Sequence, residues 1–207
     1  MIAVTLCVLT LSLQQPWRAV DSALGRSGNL QAETYRVGFP RNDLHVTVGA
    51  VTVRPALALG TWVAFKQTSD SMAMLMGDLV LLESEVEPVV DALQRGGIEQ
   101  TALHNHLAGE FPHVFYLHIM GRGRAAVLAT AVRQALTRTK TPLASPPPGA
   151  APAFNLDTAQ IAQIIGTHGR LNGGVYQIGV PGGSPVSVDS VEIPPAMGVA
   201  IGERAML

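Results

Sequence analysis

Cysteine is nearly absent. Cys7 is the one thiol in 207 residues, so no internal disulfide, no Cys-x-x-Cys redox pair and no cysteine zinc site can form. Any metal must be held by histidine and carboxylate. Charge is scarce as well: Asp, Glu, Lys and Arg make up 14% of the chain and sum to a net −1, which leaves no basic stripe for a phosphate backbone and argues against nucleic acid as a partner. Aromatic residues stand at 5% beside 21 Gly and 14 Pro, a balance that suits short strands and many turns better than a helical bundle. There is no P-loop, no Gly-x-Gly-x-x-Gly and no Gly-x-Ser-x-Gly, so neither a nucleotide cofactor nor a serine-hydrolase elbow is expected. What is present is a 47% hydrophobic fraction, enough for a core without covalent staples.

The longest apolar opening, residues 1–13 (MIAVTLCVLTLSL), is too short to cross a bilayer but has the length of a signal-peptide core. It lacks a basic start, and a cut after Ala19 would have Trp17 where a small residue is wanted. A lipid-attachment reading at Cys7 fits less well, because Leu6 precedes the thiol. Residues 1–23 are therefore read as an export segment, placing the chain in the periplasm, the cell envelope or outside the cell. A buried first strand or helix is the structural alternative.

An internal repeat organises the rest. LGRSGNLQAETYRVGFP over residues 24–40 matches IGTHGRLNGGVYQIGVP over 165–181, pairing Gly28 with Gly169 and Tyr35 with Tyr176; after a one-residue shift the match continues through Val48/Val188, Val51/Val191, Pro55/Pro195 and Ala56/Ala196. The expected division is a first complete module over 24–140, a Pro-rich linker over 141–155 and a truncated second module over 156–207. The closing Gly202-Glu203-Arg204-Ala205-Met206-Leu207 does not resemble the Trp62-Val63-Ala64-Phe65 stretch of the first module, and strands there are expected to lack partners and to favour self-association through exposed edges.

Within the first module, short β-branched runs punctuated by turns predict a meander, with further strands over 62–66 and 72–82. Ser84-Glu85-Val86-Glu87 reads as a capping box opening a helix, with Val86, Val89, Val90 and Leu93 on one face and Gly96-Gly97 as its stop. A strand from about Gln100, a hairpin and a second amphipathic helix over 124–137 follow. The class is α+β: an antiparallel meander joined to a strand-helix-strand-strand-helix unit, for which a ferredoxin-like core is the candidate arrangement.

The chemistry concentrates in TALHNHLAGEFPHVFYLHIMG, residues 101–121, which carries four of the six histidines. On a strand, His104 and His106 share a face about 7 Å apart. If the chain turns back symmetrically around Phe111, His118 falls opposite His104 at about 5 Å and three imidazoles converge. His104, His106 and Glu110 also reproduce the spacing of the first cupin motif, offering Glu110 as an oxygen ligand; the later cupin motif is absent, and that fold is not adopted. His113 falls in the turn and is expected to be exposed. The alternative for all four is hydrogen bonding to backbone or a solvated face. Asp78 and Glu83, on a strand among apolar residues, are candidate pocket carboxylates, with rim exposure as the simpler explanation. Arg41 and Asp43 suit a polar site or an Asx turn.

Gly77-Asp78-Leu79-Val80-Leu81-Leu82-Glu83 followed by Glu85-Val86, then Thr101-Ala102-Leu103-His104-Asn105-His106 and Tyr116-Leu117-His118, resemble the LppY/LpqO family of bacterial lipoproteins and exported proteins. The likeness runs from about Leu24 to Gly198. It implies two copies of the module, each with its own histidine hairpin, and brings no established activity with it. The sequence thus points to an uncharacterised exported protein binding a divalent transition metal, zinc or manganese, through His104, His106 and His118 with Glu110 as a fourth ligand. The alternatives are a non-enzymatic cell-envelope interaction protein with structural histidines and a metal-dependent hydrolase, for which Glu83 is the first residue to test as a base.

Overall fold

The computed structural model describes residues 17–145, 153–181, 185–198 and 202–206. The expected export segment up to residue 16 and residues 146–152 of the expected linker lie outside the described residues.

The main sheet forms where the sequence alternates or is apolar throughout. Its strands are β1 (Asn29–Gln31), β2 (Thr34–Pro40), β5 (Gly60–Gln67), β6 (Ala73–Leu82), β7 (Glu99–His104) and β9 (Val114–Gly123), in the order β1-β2-β5-β6-β9-β7 with antiparallel neighbours. β6 reads AMLMGDLVLL and is buried on both faces, as expected of an interior strand covered above and below. One face of the sheet packs against α1 (residues 17–24), α3 (Glu83–Arg95) and α4 (Ala125–Leu136). Phe65, Leu79, Leu117 and Ile119 meet Val89, Leu93, Leu128 and Val132 there, and each is nearly or wholly buried. Trp17 of α1 stacks on Tyr35 at 4.9 Å, so the end of the expected export segment contributes to this core.

The α+β class is as expected. β6, α3, β7, β9 and α4 make a split β-α-β unit, with β9 between the two strands that α3 connects. The place beside β6 that a ferredoxin-like sheet gives to its last strand is taken by β5, which comes earlier in the chain. Helix α3 begins at Glu83 rather than at a Ser84 cap: the Glu85 side chain accepts from Leu82 N–H at 3.0 Å and does the capping.

The other face has two small covers. The first is built from β3 (Thr47–Val48), β4 (Val51–Thr52), the short helix α2 (Pro55–Ala58) and β8 (Glu110–Phe111), and it buries Val80, Val114 and Tyr116. The second comes from the repeat: β12 (Val186–Val188), β13 (Val191–Ile193) and a 3-10 turn (Pro195–Met197) cover Ala64 and Met74 through Ile193 and Met197. Val80 and Met74 flank Asp78 on β6 at even spacing, so Asp78 lies on this face between the two covers.

The two segments matched in the sequence share their strand pairing. Leu30 opposes Tyr35 and Leu171 opposes Tyr176; Tyr35 and Tyr176 each accept from a glycine N–H, of Gly28 and Gly169, at 2.8 Å. A Cβ on either glycine would sit 2.5 Å (Gly28) or 2.6 Å (Gly169) from a carbonyl oxygen of the facing strand, which is why both positions are glycine. In the second segment, α5 (Thr158–Ile165) precedes β10 (Arg170–Asn172) and β11 (Val175–Pro181). The terminal stretch does find a partner: β14 (Gly202–Met206) pairs with β11 in the register β5 adopts against β2, Gly202 opposing Pro181 as Gly60 opposes Pro40. Backbone pairing thus places a strand there although the side chains bear no likeness to those of β5.

Candidate metal centre

β9 and β7 bring the histidines together. His104 opposes Tyr116, and Ala102 opposes His118, after a bulge between Gln100 and Ala102. The expected turn centred on Phe111 is therefore displaced: His118 is diagonal to His104 rather than directly opposite. Same-face geometry preserves the convergence. The His104 and His118 rings meet edge to face at 4.7 Å, the His104 and His106 rings lie 4.8 Å apart, and one ring nitrogen from each of the three stands within 4.8 Å of the others. His104 Nε2 and His106 Nε2 are 2.8 Å apart. Such a cluster can hold a metal ion.

Tyr116 fixes the floor. Its ring stacks under His106 at 3.6 Å, and its hydroxyl donates to the Ala58 carbonyl at 2.9 Å. Burial lowers the proton affinity of His106, the neighbouring His104 and His118 charges lower it further, and Glu110 opposes them. Burial lowers that of His118 as well. Both effects favour the neutral imidazole, the form that ligates.

Glu110 is 3% exposed on β8, with Oε1 accepting from Val114 N–H at 3.3 Å and Oε2 buried without a hydrogen-bond partner among the described residues. Its carboxylate stands outside the cluster of ring nitrogens. Glu83 is exposed at the start of α3 and, with Asn105, His106, Glu110 and His113, lines an open cleft of about 640 Å³ beside the triad. His113 is exposed, as expected for a turn.

Asp78 is not at a rim. It is 8% exposed, opposes His118 across β6 and β9, and brings Oδ2 within 3.7 Å of His118 Nε2. Burial pushes its carboxyl up to about 6 against the pull of His104 and Arg36. The sequence signal was a lone carboxylate inside an apolar strand, which must find a partner. Arg41 is no surface turn residue either: it is fully buried and paired with Asp43 and Glu85 at 2.9 and 2.8 Å, away from the triad's chemistry.

Residues 18–138 match the family described as a domain of unknown function (DUF1259), and the chain belongs to that family. No curated protein and no solved structure matches it.

Proposed function

We propose that this chain binds one divalent transition-metal ion, zinc or manganese, through His104, His106 and His118. The observation that carries the reading is the convergence of three ring nitrogens from β7, the residues after it and β9 within 4.8 Å. Two of the nitrogens come from adjoining strands and the third from just beyond β7, over a stacked tyrosine, so the rings are gathered before binding and an ion need only part the 2.8 Å contact between His104 and His106. Elemental analysis of protein purified without a metal-affinity tag, beside the His104→Ala/His118→Ala double variant, tests it. Stoichiometric metal lost in the variant supports the reading; no metal in either, with no uptake on titration, removes it.

A catalytic version uses the cleft. Glu83 and His106 border the same opening, so a water on the ion would face a carboxylate suited to act as base, in the manner of metal-assisted hydrolysis. Glu83→Gln that leaves metal content intact while abolishing a hydrolytic activity would support it.

The competing reading is a non-enzymatic envelope interaction protein. It is favoured by the 2.8 Å contact between His104 and His106, which lets the two rings satisfy each other without an ion. An exported location is part of both proposals, supported by the apolar opening of the sequence and its likeness to LppY/LpqO proteins. Among the described residues no helix is long and apolar enough to cross a membrane. Because Trp17 packs in the core, the exported chain is expected to retain it, which N-terminal sequencing of the secreted form checks.

A further inference from the structure

Two buried carboxylates flank the triad, and geometry separates them. Glu110 spends Oε1 on the Val114 amide and belongs to the first cover. Asp78 lies on the sheet itself, in direct register with His118, and neither of its oxygens makes a hydrogen bond to the protein among the described residues. Its Oδ1 is fully buried, in a strand whose neighbours Met74 and Val80 lie under the two covers. A carboxylate placed there without hydrogen-bond donors is costly, and a bound cation would add to the attraction that Arg36 and His104 already exert on it.

We infer that Asp78 is the fourth protein donor to the ion held by His104, His106 and His118, making the site a set of three nitrogens and one oxygen. The inference rests on the metal-binding reading above. Two donors bound to one ion at about 2.1 Å in tetrahedral geometry stand roughly 3.4 Å apart. Asp78 Oδ2 and His118 Nε2 are 3.7 Å apart, a few tenths of an ångström beyond that spacing and about 0.5 Å beyond an ordinary hydrogen bond, and because the carboxylate stands outside the cluster of ring nitrogens, co-ligation also asks that it swing toward His104 and His106. The fourth donor also decides what the site can do. Zinc in this set would be four-coordinate and closed, as in structural sites, while manganese or iron would keep further positions for water or a substrate oxygen.

The test is a titration of the chelator-stripped full chain with Co²⁺ alone, reading affinity and the visible d–d spectrum, for wild type, Asp78→Asn, Glu110→Gln and the His104→Ala/His118→Ala variant. Wild type is expected to bind one equivalent. Asp78→Asn is expected to bind at least about tenfold more weakly with a changed spectrum, and Glu110→Gln to stay within about threefold. Equal affinity and an unchanged spectrum in Asp78→Asn overturn the inference and leave the histidine site standing. Weaker binding with an unchanged spectrum overturns it too, because Asp78 would then only position His118. No uptake by wild type overturns the metal reading itself. Asp78→Asn removes a buried charge and keeps the shape, so it is expected to fold; Asp78→Ser is read in the same way if it does not.

Discussion

The Arg36 guanidinium donates to the Ala196 carbonyl at 3.0 Å, and at the matching place in the repeat the Gln177 amide donates to the Ala56 carbonyl at 3.1 Å. Each segment thus holds the other's proline-led turn, as two copies related by a two-fold axis would. Arg36 also lies over the Trp62 ring at 3.6 Å, tying the second cover to the sheet beside Asp78. Arg36→Ala is expected to cost about 1–3 kcal/mol and to loosen that cover. A red shift in tryptophan emission and faster proteolysis within residues 185–198 would show it; unchanged protection there would mean that Ile193 and Met197 alone hold the cover.

Tyr35 gives a pH-dependent prediction at the other core. Its hydroxyl donates to Asp21 and accepts from Gly28 N–H, and burial, with the Asp21 hydrogen bond adding, pushes it up to about 12 from 10. The folded state prefers the neutral phenol, so this contribution is intact below pH 10 and is lost as pH rises through about 12. Denaturant midpoints at pH 8 and pH 11 check it: wild type should lose stability between them by more than Tyr35→Phe does. At pH 8 the variant should already be about 1–2 kcal/mol weaker, because the Gly28 amide loses its 2.8 Å bond to the hydroxyl and keeps only the 3.4 Å one to Asp21, which in turn loses the phenol donor.

Much of this architecture could be read from side-chain periodicity alone. Alternation in β2 and the stripe of Val86, Val89, Val90 and Leu93 on α3 are local signals, and they mark the elements within a few residues. The histidine site was legible because the actual register, with His104 opposing Tyr116, differs from the expected one by two residues, and an even shift moves His118 to the diagonal while keeping it on the face of His104. Asp78 stood out as a carboxylate in an apolar strand, but its place beside His118 was not legible, since that depends on β6 pairing with β9 past α3 and β7. The Arg41–Asp43 pair was local enough to be named, but the second acceptor of Arg41, Glu85, was hidden for the same reason, since it lies 44 positions away on another element.

Arg41 carries the largest stability prediction. Fully buried, it donates to Asp43, to Glu85 at 2.8 and 3.2 Å and to the Val80 carbonyl at 2.6 Å, while Glu85 also accepts from the Leu82 and Lys140 amides. Arg41→Met leaves the nearly buried Glu85 carboxylate without its counter-charge and should cost about 3–5 kcal/mol. The exposed Arg95–Asp91 pair, 4.0 Å apart, is the contrast: Arg95→Ala should change stability by no more than about 0.5 kcal/mol. Urea midpoints at equal slope measure both, and similar costs would mean that the Arg41 network is hydrated and weak.

Metal addition should act first on β7, an edge strand of the main sheet that pairs with β9. His104 ends β7 and His106 lies just beyond it, so an ion shared with His118 on β9 clasps that edge. At about 100 times its dissociation constant the ion contributes about 2.7 kcal/mol, a rise in melting temperature of about 5–10 °C for a chain of this length. The His104→Ala/His118→Ala variant should fold, since 44% of the His118 side chain is exposed and His104 is only partly buried, yet show no rise, and chelator should reverse the effect in wild type. Hydrogen exchange should slow at Leu103 and His104, while amides of α4 change only through the global equilibrium. An equal melting rise in the double variant would put the ion elsewhere on the chain and leave His104 and His106 as a hydrogen-bonded pair with His118 packed against them.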